Sequence, residues 1–147
     1  MSSRPSFECP QCHFALWLPL AELELSTLGL YDDARFPGRC ILALNAHHDD
    51  LVDLDDHVTL SFMRDVRQAA LAIKRATNAK RVNIAFLGNA VPHVHAHLIP
   101  RVPGGDPVPD RAPWAHPEQA HKMTAQQRDK VSRSIVRELR TARVQLA

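Results

Sequence analysis

The stretch NAVPHVHAHLIPR, residues 89–101, decides the fold and gives the first indication of chemistry. Histidines and apolar residues alternate along it, in the order His93, Val94, His95, Ala96, His97 and Leu98. Because alternate residues of a β-strand share a face, the three imidazoles lie on one face and the apolar side chains on the other. The pattern predicts a strand whose apolar back is buried under a helix and whose imidazole front is left for chemistry.

Length and composition limit the kind of protein this chain can be. Its 147 residues suit one domain, 1–147, with 45% hydrophobic and 23% charged residues. The formal charge of +2 indicates neither a nucleic-acid partner nor a membrane surface. No apolar run approaches the roughly 20 residues that cross a bilayer, and we expect a cytoplasmic protein. Three cysteines, an odd number, argue against a disulfide scaffold.

Periodicity on either side of the histidine strand predicts the remaining elements. Upstream, an irregular segment with a Cys-x-x-Cys pair is predicted at 1–20 and a long helix at 53–78. Three strands are predicted at 21–31, 39–45 and 81–88. Asp55 or Asp56 is predicted to cap the start of that helix and Asn78 to mark its end. Downstream are a proline-rich loop and a C-terminal helix, at 103–122 and 123–147, the helix beginning at a Thr124–Gln127 capping box. The elements predict an α+β domain.

Three histidines on one face of a strand favour two kinds of chemistry. Imidazole exchanges protons near neutral pH, and its neutral form is a nucleophile that can carry a covalent intermediate. A second possibility is a catalytic metal bound by all three imidazoles, since catalytic zinc commonly takes three protein ligands and water. The structural alternative is a half-exposed strand on which three histidines coincide by chance.

The segment CPQCH, residues 9–13, has three possible explanations. Cys-x-x-Cys-His is a haem-attachment string, but that chemistry requires export, for which the sequence gives no signal. A redox dithiol lacks the βα unit that usually follows it. Zinc is favoured, because the two thiolates at this spacing supply half of a tetrahedral site.

The string HVHAHLIPR resembles the His-φ-His-φ-His-φ-φ motif (φ, apolar) of the histidine triad (HIT) superfamily, above all of its bacterial members. The similarity extends upstream through VNIAFLGN and DDARFPGRCILALNAHHDDLVDL and covers roughly residues 21–101. It implies a HIT-like fold, with an antiparallel sheet, a central helix and a C-terminal helix. It also implies a homodimeric enzyme that hydrolyses or transfers the nucleoside monophosphate of a purine dinucleoside polyphosphate or phosphoramidate.

The resemblance also assigns roles to individual residues. The middle histidine, His95, would attack the α-phosphorus and form a nucleotidyl-histidine intermediate that water then opens. His93 and His97 would flank the phosphate. Asp32 corresponds to the residue that binds the ribose hydroxyls. Two amides correspond to ligands of the phosphate and leaving group, Asn83 and Asn89.

For the metal, the resemblance implies a complete ligand set. Some bacterial HIT proteins join a Cys-x-x-Cys pair to a later histidine and to the first histidine of the triad. In this chain these residues are Cys9, Cys12, His47 and His93, and the zinc would be structural. His47 is preferred to His48 because the apolar positions that follow then align with those of the family.

Two positions depart from the family pattern. Cys40 stands where many members have a histidine, and Asn89 replaces the usual glutamine before the triad. The first departure keeps a second hypothesis open, in which the chain is a dimeric nucleotide-binding module without catalytic activity.

Overall fold

The computed structural model describes residues 5–146, so the parts of the predicted N-terminal segment and C-terminal helix at 1–4 and 147 lie outside the described residues. Within this described range, five strands and two long helices follow one another. The strands are β1 (Leu18–Glu22), β2 (Ser26–Leu30), β3 (Cys40–Leu44), β4 (Arg81–Ala85) and β5 (His95–Arg101). The helices are α1 (Asp56–Thr77) and α2 (Ala125–Gln145), and short 3-10 turns occupy Leu51–Asp53 and Pro113–Ala115.

The strands form one antiparallel sheet in the order β1-β2-β3-β5-β4, which places the histidine strand β5 between β3 and β4. Its register pairs His97 with Ile41 of β3 and with Ala85 of β4. Directly opposite residues of antiparallel strands point to the same side. One side of the sheet, here called the histidine face, therefore carries the imidazoles, and both helices lie on the other side.

The predicted division of the histidine strand is confirmed. Val94, Ala96 and Leu98 are buried in the core cluster together with Phe62 and Ile73 of α1. Leu139 of α2 joins the same cluster. The α+β architecture that the sequence predicts is the one observed.

The predicted helix caps are also confirmed. The Asp55 carboxylate accepts a hydrogen bond from the Val58 amide at 2.8 Å, and Asn78 closes α1 in the left-handed conformation with φ 56°. Both bonds of the Thr124–Gln127 capping box are present at the start of α2. Neither long helix of residues 5–146 carries an apolar stretch of the kind that crosses a membrane.

Several predicted boundaries were wrong, and the largest error concerns 21–31. That segment holds only the end of β1, which begins at Leu18 in the part predicted to be irregular, and then β2. The two strands are joined by a tight turn in which the Leu23 amide donates to the Ser26 carbonyl at 2.8 Å. The buried Asp65 carboxylate holds the turn by accepting hydrogen bonds from the Leu25 amide and the Ser26 hydroxyl, at 2.9 and 2.6 Å. A contact from 40 residues away thus breaks a strand that local alternation predicts to be continuous.

The other boundaries move by a few residues. The helix predicted to begin at 53 begins at Asp56, because residues 51–53 form a 3-10 turn capped by the Asp50 carboxylate. The strands predicted at 81–88 and 93–101 are Arg81–Ala85 and His95–Arg101.

We expect Leu98→Ala to lower the free energy of unfolding by about 2–5 kcal/mol, because it leaves a cavity between β5 and α1. Leu98 is 0% exposed and belongs to the core cluster. Chemical denaturation measures the change. Val52→Ala is the control, since that side chain is 83% exposed and should shift stability by less than about 0.5 kcal/mol. Equal effects of the two substitutions would contradict this account of the core.

Candidate functional site

The N-terminal segment folds over part of the histidine face. Residues Glu8 and Ala15 pair as an isolated bridge, and the Cys9 amide bonds to the Phe14 carbonyl at 2.8 Å. Leu16 lies directly on Gly29 of β2, where an added Cβ would approach the Leu16 Cβ to 3.0 Å. Only a residue without a side chain lets the segment lie so close to the sheet.

This placement brings together the four side chains for which the resemblance implies zinc binding. The ligand atoms of Cys9, Cys12, His47 and His93 all lie within 4.8 Å of one another. The Cys9 Sγ lies 3.6 Å from the Nδ1 of His47, and the Cys12 Sγ lies 3.4 Å from the Nδ1 of His93. Tetrahedral zinc with ordinary bond lengths would hold sulfur and nitrogen ligands about 3.6 Å apart. The donor set and its spacing therefore fit zinc.

The surroundings of the cluster leave the right nitrogens free for a metal. The Nε2 of His47 bonds to the Asp49 carboxylate and that of His93 to the Leu44 carbonyl, both at 2.7 Å. In each ring the second nitrogen, Nδ1, faces the thiols. Such outer hydrogen bonds fix the orientation and tautomer of metal-binding histidines. Burial raises the pKa of the Cys9 thiol, but backbone hydrogen bonds from Cys12 and Gln11 outweigh it and lower that pKa to about 7.

His95, the predicted nucleophile, is buried to 8% exposure at the start of β5. Its Nδ1 donates to the main-chain carbonyl of His93 at 2.5 Å, which leaves Nε2 without a proton in the neutral ring. The Phe14 ring packs against it with centroids 5.0 Å apart. The geometry provides an oriented imidazole with one nitrogen available as a nucleophile or base.

His97 lies beside His95, with ring centroids 5.2 Å apart. Its Nδ1 accepts a hydrogen bond from the guanidinium of Arg39 at 3.2 Å. Burial, with the positive charge of Arg39, lowers the pKa of His97 to about 4. At neutral pH this ring is therefore uncharged and presents an Nε2–H donor.

A buried cluster of charges holds Arg39 in place. The Asp33 carboxylate is fully buried and pairs with Arg35 at 2.8 Å and with Arg39 at 3.0 Å. Burial would raise the pKa of Asp33, but the hydrogen bonds and charges of the two arginines lower it below its usual value. Two cations around one carboxylate leave a positive charge next to His97, which suits a phosphate.

Two further residues predicted to bind the nucleotide, Asp32 and Asn89, lie on loops. The Asp32 carboxylate accepts from the Met123 amide at 2.9 Å, next to Tyr31, whose ring contacts His97. Asn89 is exposed on the loop before β5. The structure thus brings His95 and His97 together and sets His93 apart in the cysteine cluster, with both of its ring nitrogens engaged.

Arg101, the last residue of β5, connects the sheet to the proline-rich loop. It is 5% exposed and forms an ion pair with Asp106 at 2.5 Å, and it donates to the Asn83 side-chain carbonyl at 2.7 Å. Two further bonds to the carbonyls of Val108 and Arg111 fasten the proline-rich loop to the sheet. The cleft between this loop and β4, about 860 Å³ in volume, is lined by Asn83, Arg101 and Trp114 among others.

Cys40, at the position where many family members have a histidine, does not reach the histidine face. It pairs with Leu98, is 0% exposed and belongs to the core cluster beneath the helices. Burial raises the pKa of its thiol far above the usual range. The side chain of the preceding residue, Arg39, reaches the triad and hydrogen-bonds to His97.

Sequence reasoning missed Arg39 and the aromatic rings of Phe14 and Tyr31. An available signal was a charged residue at the start of the otherwise apolar strand RCILALN.

Among residues 5–146, the one group of three or more potential metal ligands is the Cys/His cluster. The hypothesis of one metal bound by all three triad histidines has no such group to support it.

Comparison with known proteins gives a family match and several similar structures. The family model of the HIT domain matches residues 20–104, more than half of the chain. No curated protein matches the chain.

Two of the solved structures with a similar fold are also more than a quarter identical in sequence. A histidine triad protein from Bradyrhizobium japonicum is 27% identical, with a TM-score of 0.74 over 83% of this chain and 90% of that one. A histidine triad (HIT) protein from Sinorhizobium meliloti is 26% identical, with a TM-score of 0.73 over 82% and 88%.

A zinc-bound histidine triad family protein from Mycobacterium smegmatis is also similar in structure. It is 21% identical, with a TM-score of 0.61 over 86% of each chain. At this level of identity the similarity supports the fold alone.

Proposed function

This chain belongs to the HIT domain family, and from that premise we propose that it hydrolyses or transfers the nucleoside monophosphate of a purine dinucleoside polyphosphate or phosphoramidate. HIT proteins bind nucleotides, and the proposal adds a covalent step through His95. The observation that carries it is the hydrogen bond from the Nδ1 of His95 to the His93 carbonyl, which leaves Nε2 free.

The reaction then has two displacements at the α-phosphorus. In the first, the Nε2 lone pair of His95 forms a P–N bond while the bond to the leaving group breaks. In the second, a water oxygen or another acceptor hydroxyl attacks phosphorus and loses its proton to solvent, and the P–N bond breaks to return neutral His95. A neutral imidazole is a competent nucleophile because its second nitrogen is held by a fixed acceptor.

The neighbours of His95 supply orientation and charge in this proposal. His97 donates its Nε2–H to a non-bridging phosphate oxygen, and the positive charge around Asp33 offsets the phosphate charge. His93 acts through its carbonyl oxygen rather than its ring. Asp32 is the proposed ribose ligand, and Asn83 and Asn89 are proposed ligands of the phosphate and leaving group.

We further propose that Cys9, Cys12, His47 and His93 hold a structural zinc ion. The support is the donor set, the spacing of its atoms and the outer bonds to Asp49 and Leu44. Zinc is bound in the similar protein from Mycobacterium smegmatis. The ion would tie the N-terminal segment, which carries Phe14, to the strand of the nucleophile.

The experiment that tests the function is turnover of adenosine 5′-phosphoramidate and of diadenosine polyphosphates, followed as release of AMP. The proposal expects AMP from at least one of them. Binding of AMP without turnover of either substrate class would favour the non-catalytic nucleotide-binding module instead.

The family resemblance also supports a homodimer, and the exposed apolar residues suggest the surface. Strand β4 is at the edge of the sheet, and large apolar side chains are exposed on it, on the loop that follows and on α1, namely Ile84, Leu87, Leu60 and Met63. A second copy that covers this surface would bury them.

We expect Ile84→Asp to weaken dimerisation at least about tenfold, or 1.4 kcal/mol, because it would bury an unpaired charge in the interface. Sedimentation equilibrium measures the change against the 16.5 kDa monomer mass. Val144→Asp, at a side chain 80% exposed on α2, is the control. A wild-type protein that is monomeric at high concentration would contradict the proposed interface.

A further inference from the structure

Arg39 joins a buried ion cluster to the third histidine of the triad. Its Nη1 donates to the Asp33 carboxylate at 3.0 Å and its Nη2 donates to the Nδ1 of His97 at 3.2 Å. The guanidinium also stacks on the Tyr31 ring, 4.1 Å from its centroid. Two of its nitrogens and the face of its ring-like plane are thus engaged, which restrains the orientation of the guanidinium.

The direction of the bond to His97 follows from the chemistry of arginine. A guanidinium has five N–H donors, no acceptor, and keeps its charge in proteins. The Nδ1 of His97 must therefore accept, and in the neutral ring the proton is on Nε2. A proton on Nδ1 would point directly at an N–H of Arg39.

We propose that Arg39 is a positioning residue that holds His97 as the uncharged Nε2–H tautomer, so that His97 gives the substrate phosphate a hydrogen bond but no proton. The inference rests on the proposed function for the role of the phosphate, and on the contacts of Arg39 for the tautomer. It assigns a role to a residue outside the family motif.

The environment of His97 supports one uncharged form. The charged and titratable groups that face it are Arg39 from the start of β3, His95 on its own strand and Tyr31 from the end of β2, with Asp33 behind Arg39. Burial and the charge of Arg39 keep the pKa of His97 at about 4. The proton that the leaving group takes up must then come from a group other than His97.

Arg39 and Arg35 offer a matched pair of substitutions. Each donates to the same Asp33 carboxylate, but of the two arginines it is Arg39 that also hydrogen-bonds to His97. Arg39→Met and Arg35→Met each leave Asp33 with one arginine. Effects of weakening the ion cluster are common to both variants, whereas loss of the tautomer is specific to the first.

The test is ¹⁵N NMR of ligand-free protein with labelled histidine, with the His97 signals assigned by their loss in His97→Gln. Wild type and Arg35→Met should show one uncharged form at pH 6–8, with Nε2 protonated and Nδ1 bare. Arg39→Met should show both tautomers, and a His97 that titrates closer to the usual value of about 6.5. Its kcat should fall roughly tenfold, less than the 10²–10³-fold cost of removing an oxyanion donor outright.

A wild-type His97 that is charged, or that carries its proton on Nδ1, at pH 7 would overturn the proposal without any variant. An unchanged tautomer in Arg39→Met would overturn it as well. Because the NMR measurement needs no substrate, it separates failure of this inference from failure of the proposed function. If Arg39→Met shows both tautomers of His97 but keeps the wild-type kcat, Arg39 does set the tautomer. The proposed hydrogen bond from His97 to the phosphate is then refuted.

Discussion

Replacing His95 with alanine is expected to lower kcat by about 10⁴-fold or more, because it removes the atom that forms the covalent bond to phosphorus. The variant should still fold, because the His95 side chain lies on the histidine face of the sheet and not in the core under the helices. AMP should still bind, because the ligands proposed for ribose and phosphate are intact. Turnover and AMP affinity, measured on the same preparation, check both halves of the prediction.

Two comparisons make this result specific. His57→Ala changes an exposed histidine on α1 and should leave turnover at the wild-type rate. His95→Gly with added imidazole should recover part of the lost rate, because free imidazole can occupy the space and act as nucleophile. Wild-type turnover by His95→Ala would refute covalent catalysis at this residue.

Loss of zinc is the second large effect. We expect about one zinc ion per chain in purified protein and almost none in the Cys9→Ser, Cys12→Ser double variant. A structural ion present at 1,000 times its Kd stabilises the fold by about 4 kcal/mol. For a domain of this size we therefore expect a fall in Tm of about 10 °C or more. Metal analysis and thermal unfolding measure the two effects.

The chain supplies a control for each kind of ligand. Cys40→Ala removes a thiol that lies in the core and should leave the zinc content unchanged. His48→Ala should also keep zinc, whereas His47→Ala should lose it, because His47 is the member of the adjacent pair whose Nδ1 faces Cys9. Unchanged zinc in the double cysteine variant would exclude this site.

Loss of zinc should also disturb the packing around His95, the proposed nucleophile. Phe14 follows the Cys-x-x-Cys turn and packs against both His93 and His95, with centroids 5.3 and 5.0 Å apart. A turn no longer tied to His93 would release this ring. Turnover of the zinc-free protein should therefore fall even at temperatures where it remains folded.

The parts of the fold that local sequence controls were predictable. Alternation alone gave the two faces of β5, and Asp55, Asn78 and the Thr124–Gln127 pair gave the helix ends, because these features depend on neighbours within four residues. The turn between β1 and β2 was not predictable in this way. It contains no glycine, proline or asparagine and is held by Asp65, which approaches only in the folded chain.

The same distinction applies to the site. The triad spacing indicated the three histidines alike, and the family resemblance supplied both the role proposed for His95 and His47 as a companion of the cysteine pair. The role of Arg39 could not be predicted from the sequence, because it depends on the pairing of β3 with β5. It also requires Asp33, Tyr31 and His97 to lie around the same guanidinium. Arg101 had no predicted role, because its partners lie in a loop whose path the sequence does not define.

The most direct test of the central claim is the stereochemical course of the reaction at the α-phosphorus. A substrate with a chiral phosphorothioate at that position is hydrolysed in ¹⁸O-labelled water, so that the released nucleoside phosphorothioate is chiral at phosphorus, and its configuration is determined. Each in-line displacement inverts phosphorus, so attack by His95 followed by attack of water predicts overall retention. Overall inversion would show a single direct displacement and would contradict the nucleotidyl-histidine intermediate.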